Sequence, residues 1–390
     1  MLKISKRLKF VKMPASITIS NRAKEMSAIH SDFIDASIGQ PDHRPPICID
    51  DLIFSYEIDG SSQYGQVQGT TELRSLIANK TNDLHGTKYT KENVIITPGV
   101  KQALNYLFMT YIDENDEIII TKPCWLSYSS LVDLYGGVSV NIESSARNKF
   151  ICNVRDIINS ITEKTKMVLI SNPVNPTGVF WKKKDLILLN NALSAQKIPL
   201  VIDAIYEDID FHQRKTLMKN FNDNIKNIIY LSGFSKNIAI PGYRVGYILA
   251  ESETISTLTK CQSHVITCPS VIDQQIVYSA YKRMPPKYIK DTCLKYQSRA
   301  DFFCSELDRL AIKYIKPDGA FYILVDVSWI SKNSIVASEI ILEQAHISTV
   351  PGSEYGASSE GYIRIALVHP IEKLKEVISR LLAIKKTLIT

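Results

Sequence analysis

An α/β fold, with a mainly parallel sheet flanked by helices and a smaller α+β unit beside it, is expected from three features of this 390-residue sequence. From about residue 68, short apolar runs alternate with longer amphipathic stretches, the pattern of crossover units around a parallel sheet. Several of those runs are apolar at every position, as strands covered on both faces must be. Polar and glycine-rich segments follow directly on the runs, where ligands sit in open α/β sheets. The length suits two or three domains, or one large α/β domain with an appendage.

Taken in order, the strand candidates are Val94 to Thr97, Glu117 to Thr121, Met167 to Ser171, Leu200 to Asp203, Asn227 to Leu231 and Val245 to Leu249. Helices are expected at Val100 to Tyr111 and Lys183 to Ala195, and the stretch from about Glu253 through Leu310 reads as helical with one break at Pro285 and Pro286. Proline lacks the amide hydrogen a helix interior needs, so that break marks a domain exit. Beyond it, Phe321 to Val327 and Gly361 to Ala366 read as strands, and Ser334 to Gln344 and Ile371 to Ile384 as helices, together a smaller α+β unit.

Composition narrows the function classes. Hydrophobic residues make up 45% and charged residues 22%, which excludes disordered and membrane classes. The net charge of +6 comes without clustered basic runs, so no nucleic-acid partner is expected. No apolar stretch approaches the ~18 residues of a membrane span. The seven cysteines (Cys48, Cys124, Cys152, Cys261, Cys268, Cys293 and Cys304) show no spacing that suits zinc. They read as reduced thiols of a cytoplasmic protein, with no metal site. The basic start, MLKISKRLKFVKM, reads as an N-terminal arm in preference to a transit peptide.

Five strand ends carry the chemistry. In TPGVKQAL, Gly99 permits a tight turn and the amides of Gly99, Val100 and Lys101 open a helix, an arrangement that takes a phosphate, although ordinary turns look similar. In KPCWLSY, Trp125 sits at the rim, as packing or as a surface on which a flat heteroaromatic ring stacks. In SNPVNPTG two Asn-Pro pairs stiffen the turn and leave the Asn175 amide to donate to a ligand. Asp203 closes its strand with Tyr206 three residues on, and a carboxylate buried there calls for a cationic partner. In SGFSKNIAIPGYRVGY, Lys236 lies at a turn among apolar residues, where an amine loses basicity and becomes a nucleophile toward carbonyls, with Arg244 eight residues later. Anion cradle, stacking ring, amide, acid with phenol, and amine with guanidinium together match one ligand, pyridoxal 5'-phosphate.

These segments, with SIGQPDHRPP and YGQVQGTTELR before them and PGSEYG and GYIRIAL after, resemble the fold-type I pyridoxal-phosphate enzymes, most closely the class I/II aminotransferases of the aspartate aminotransferase superfamily. The resemblance spans nearly the whole chain. It implies a seven-stranded sheet in a large domain over 50–285, an arm and part of a small domain over 1–49, and the rest of the small domain over 286–390. It implies that Lys236 forms a Schiff base with the cofactor and, once released, moves the proton between substrate and cofactor. Asp203 would keep the pyridine nitrogen protonated, while Tyr206 and Asn175 would bond the phenolic oxygen. Trp125 would stack on the ring, and Arg244 with the Gly99, Val100 and Lys101 backbone would hold the phosphate. Tyr64 would reach the phosphate of a neighbouring subunit, which implies a homodimer with its sites at the interface. Arg364 would clamp the substrate α-carboxylate, helped by the Gly39 backbone, with Trp125 and Asn175 also against the substrate.

Three positions depart from the family pattern. Gly233 stands where many members carry a phosphate-binding serine, leaving Ser232 or Ser235 to compensate. His43 and Arg44 replace the residues that usually follow Pro41 and Asp42, and read either as selecting a polar or acidic side chain or as surface residues. The expected activity is transfer of an amino group from an L-amino acid to a 2-oxo acid by ping-pong half-reactions. A carbon-sulfur lyase or an aminocyclopropane-carboxylate-synthase-like enzyme is the alternative on the same residues. A non-catalytic descendant is disfavoured by the intact Lys236, Asp203, Tyr206, Arg244 and Arg364, and a dehydrogenase by the lack of GxGxxG after the first strand.

Overall fold

The structure, a computed structural model, describes residues 15–47, 63–213 and 226–389, together with residues 5, 8 and 11. Cys48 and the boundary expected at 49/50 lie outside the described residues. The N-terminal helix Ala15–Ile29 leads into β1 (Ile34–Asp35). Seven strands then make the main sheet: β2 (Val94–Thr97), β3 (Glu117–Thr121), β4 (Val138–Ile142), β5 (Thr165–Ser171), β6 (Leu200–Asp203), β7 (Ile228–Gly233) and β8 (Gly246–Leu249). Their order is β2-β8-β7-β6-β5-β3-β4, parallel except for β8, which runs antiparallel to both β2 and β7. The smaller part adds β9 (Tyr314–Ile315), β10 (Tyr322–Asp326), β11 (Ile347–Ser348), β12 (Val350–Pro351) and β13 (Tyr362–Ala366). There β12-β13-β10-β9 form an antiparallel sheet, and β11 pairs with β1, so the N-terminal segment is tied to the C-terminal part.

The central strands read as the physics of double burial requires: Ile118 to Ile120, Met167 to Ile170 and Leu200 to Ile202 are fully buried. One core lies on each face of the large sheet, and another around β10 and β13 includes Ile34 and Ala36 of the N-terminal segment. The helix Val100–Tyr111 buries Val100, Ala103, Leu104 and Leu107, a stripe at helical spacing.

All six expected strands of the large sheet are present, and the seventh is β4. It is an edge strand with only Ile142 buried, so the apolar signal that marked the others is missing. The stretch from Glu253 to Leu310 differs from expectation: it forms three helices, Ser252–Val265, Val271–Lys282 and Tyr288–Arg309, with an additional break. Pro269 sits in that break beside Thr267, whose φ is +65°, and Ser270 restarts the chain by accepting a hydrogen bond from the Asp273 amide at 3.3 Å. Among the described residues no helix is long and apolar enough to cross a membrane.

Candidate active site

The carboxyl ends of the parallel strands and the start of the helix Val100–Tyr111 open on a cavity of about 530 Å³. Its other wall comes from Asp35 to Gln40 of the N-terminal segment and from Tyr322, Val350, Tyr355 and Arg364 of the smaller part. Lys101, Trp125, Asn175, Asp203, Tyr206, Ser235, Lys236 and Arg244 all line it. The residues singled out at five separate strand ends thus meet in one place.

Asp203 ends β6, between Ser171 of β5 and Leu231 of β7 in register. Its side chain accepts from the Tyr128 hydroxyl at 2.6 Å and from the Ile205 amide at 3.2 Å. Burial pushes its pKa up, opposed by those two hydrogen bonds and by the Lys236 charge. A carboxylate in that position favours a cationic N–H donor facing it. Lys236, in the loop after β7, donates to the Gly39 carbonyl. Burial, with the Arg364 and Arg244 charges and against Asp203, lowers its pKa to about 8. Near neutral pH the Nζ atom is therefore available in both charge states, as an amine that attacks carbonyls and moves protons must be.

The helix start at Gly99 and the Arg244 guanidinium come together by close approach. Gly99 has φ of +79°, and a Cβ there would lie 2.4 Å from Arg244 Nη2, so only glycine lets the guanidinium reach the helix start. A Cβ at Gly246 would lie 2.7 Å from the Gly99 carbonyl carbon, so β8 needs glycine to pass the same turn. Arg244 Nη1 donates to the Pro241 carbonyl at 2.9 Å, aiming the group at the unpaired amides of Val100 and Lys101. Gly233 also has a steric reason: a Cβ would meet the Val245 carbonyl at 2.9 Å and Gly246 Cα at 3.0 Å. Of the two serines that might compensate for it, Ser232 donates to the Ala204 carbonyl at 3.4 Å, while Ser235 lines the cavity.

Arg364 is buried, donating from Nη2 to the Ser37 carbonyl at 2.6 Å and from Nη1 to Asn175 Oδ1 at 3.3 Å. Its Nε has no partner, and among the described residues no carboxylate pairs with it. The guanidinium lies 4.1 Å from the Tyr322 ring centroid. With Oδ1 taken by Arg364, Asn175 has its Nδ2 left to donate. The Tyr206 and Tyr322 hydroxyls share a hydrogen bond at 2.9 Å, and burial, with Tyr322 beside it, holds the Tyr206 hydroxyl well above its ordinary pKa. Trp125 packs edge-on against Tyr128 with ring centroids 5.6 Å apart, and Lys101 Nζ lies 4.9 Å from the Trp125 ring.

Three of the residues singled out in the sequence fall elsewhere. Tyr64 is 88% exposed and borders a separate groove with Cys268 to Ile272. His43 and Arg44 do not line the cavity: His43 Nδ1 meets the Tyr296 hydroxyl at 3.0 Å, and the Arg44 carbonyl accepts from the Tyr288 hydroxyl. Tyr128, Tyr322 and Tyr355 are cavity residues that sequence reasoning passed over. Tyr128 and Tyr355 lay within segments already marked as informative, KPCWLSY and PGSEYG, where each sits three to four residues from an assigned or turn residue. A cluster of His30, Asp32 and His346 has potential metal-ligand atoms close together, but Asp32 already pairs with Arg380, and none of the three borders the cavity.

Comparison with known proteins agrees with this geometry. The family model for aminotransferase class I and II matches residues 31–381. Aspartate aminotransferase of Thermotoga maritima is 27% identical over 380 residues, covering 97% of this chain and 98% of that protein. A probable aspartate/prephenate aminotransferase of Rickettsia typhi is 31% identical over 394 residues, with the same coverages. The structure of Thermus thermophilus aspartate aminotransferase with maleate superposes with a TM-score of 0.92 at 28% identity, covering 98% of this chain and 100% of that one. With cavity, sheet order and sequence in agreement along its length, the chain belongs to the class I and II aminotransferases.

Proposed function

We propose that this aminotransferase holds pyridoxal 5'-phosphate in the cavity and moves the amino group of an acidic L-amino acid to a 2-oxo acid. The reading is carried by Lys236 and Arg364 facing one cavity, with no carboxylate hydrogen-bonded to either among the described residues. An uncompensated buried guanidinium is costly, and a substrate carboxylate satisfies it with two parallel hydrogen bonds. The donor set fits the cofactor: an anion cradle at Arg244 and the Val100 and Lys101 amides, a buried acid at Asp203 for a ring nitrogen, and Asn175 and Tyr206 for a phenolic oxygen. When bound, the cofactor supplies an electron sink for the bond broken at the substrate α-carbon.

The chain's own residues do the rest. Lys236 Nζ holds the cofactor and, when free, takes the α-proton and returns it. Asp203, itself bonded by Tyr128, keeps the ring nitrogen protonated. Arg364 and the Gly39 backbone orient the substrate, and Trp125 covers the ring. Ser235 adds a hydroxyl to the phosphate cradle. Among the described residues Lys101 is the one cavity-lining cation left without a role for its side chain, and we assign its ammonium to the second carboxylate of the donor. The names of the relatives, aspartate and aspartate/prephenate aminotransferases, support an acidic donor.

The exposed Tyr64 fits a homodimer in which it serves the neighbouring phosphate site. The division into 50–285 and 1–49 with 286–390 is supported by the separate cores and by the β1–β11 pairing. The scattered cysteines, six of them free in the structure, support a cytoplasmic setting. Steady-state assays decide the donor: Lys101→Ala should raise KM for aspartate about tenfold or more, the worth of one ion pair out of bulk water, while sparing a monocarboxylic donor. Equal effects on both donors would refute the assignment.

A further inference from the structure

Asn237, the residue after Lys236, is only 4% exposed and is held from two sides. Its Nδ2 donates to Asp208 Oδ2 at 2.6 Å, and the same oxygen accepts from Lys80 Nζ at 2.8 Å. Its own Oδ1 accepts from the Ile238 amide at 2.8 Å, which fixes the orientation of the side-chain amide. On the other side, its main-chain carbonyl accepts from His43 Nε2 at 3.3 Å. His43 belongs to the N-terminal segment whose Gly39 carbonyl takes the Lys236 amine. That segment is anchored in turn: Asp42 accepts two hydrogen bonds of 2.8 Å from Arg299 and another from Lys295. Lys236 and Asn237 are thus tied to one segment at two points, and to the Asp203 strand-end loop through Asp208.

We propose that Asn237 is a positioning residue for Lys236, clamped by Asp208 and His43 so that the N-terminal segment stays closed over the lysine side chain. The proposal rests on Lys236 being the reactive amine of this site. A free lysine side chain samples many rotamers, and fixing the main chain at the residue next to it narrows where Nζ can point. His43 donates through Nε2, because a carbonyl only accepts, so that ring nitrogen carries a proton in either charge state of the ring. Around the Lys236 amine lie Arg364, Arg244, Asp203 and the Tyr206 ring, so loosening the clamp acts on it chiefly by admitting water.

The test uses the full cofactor-free chain, acetylated with acetic anhydride across a range of pH, with Lys236 modification read by peptide mass spectrometry. The wild-type midpoint is expected near 8. Asn237→Ala removes the Asp208 bond and keeps the Lys80–Asp208 pair. His43→Phe removes the donor to Asn237 and keeps a ring against Tyr288 and Tyr296. Each should raise the midpoint by about one unit, slowing acetylation at pH 8 about fivefold, with Tm little changed. Unchanged midpoints in both folded variants overturn the proposal; if Asn237→Ala does not fold, His43→Phe decides alone. A wild-type midpoint near that of an ordinary lysine would overturn both the proposal and the assignment of Lys236 on which it rests.

Discussion

Replacing Arg364 by lysine keeps the positive charge and removes the planar fork. In the structure that fork reaches Ser37 and Asn175 through its two Nη atoms and leaves Nε without a partner in the cavity. A carboxylate bound side-on takes two charge-assisted hydrogen bonds, each worth about 1.5–3 kcal/mol. Lysine supplies one of them, so about 1.5–3 kcal/mol is lost, or about 10–150-fold in kcat/KM. The loss should fall on every amino donor alike, since all share the α-carboxylate. A binding readout separates recognition from chemistry: a saturating dicarboxylate such as maleate should raise the Tm of the wild type and raise that of Arg364→Lys far less. A variant within threefold of wild type in kcat/KM, with an undiminished thermal shift, would refute the reasoning and remove Arg364 from the substrate site.

Lys236→Ala should abolish turnover and leave the protein folded, as measured by activity and circular dichroism. Because burial and the Arg364 and Arg244 charges disfavour the ammonium, the reactive amine of Lys236 is lost as pH falls through about 8. The rate of cofactor attachment to the apo protein should therefore climb with pH up to about 8 and level off above it, in stopped-flow absorbance. Tyr128→Phe removes the 2.6 Å hydrogen bond to Asp203 and should cost about 1.5–3 kcal/mol of support for that carboxylate, read as a lower kcat with little change in KM. Gly233→Ser should lower stability by about 1–3 kcal/mol in denaturant titration, since its Cβ has no room beside the Val245 carbonyl and Gly246.

The parts legible in the sequence share one cause. The central strands are apolar at every position and end in polar residues, so Asp203, Lys236 and Asn175 announced themselves as strand-end groups in an otherwise buried run. Strand β4 was not legible because it lies at the sheet edge with most of its residues partly or fully exposed. Tyr128 and Tyr322 were passed over because their roles come from packing across elements: Tyr128 reaches Asp203 from a helix 75 residues earlier in the chain, and Tyr322 meets Tyr206 across 116 residues. His43, which the sequence left open between selecting a side chain and lying at the surface, does not line the cavity: its ring meets the Tyr296 hydroxyl and the Asn237 carbonyl, contacts made only by the fold.

The central claim, amino transfer through pyridoxal phosphate held at Lys236, is tested most directly by the absorbance spectrum of the purified protein with the cofactor, titrated with L-aspartate in the absence of any oxo acid. The account predicts a band of the lysine-bound cofactor that converts once, in proportion to enzyme, to the amino form, and that a 2-oxo acid restores. Continued release of ammonia and an oxo acid with the band unchanged, or no band at all, would contradict it.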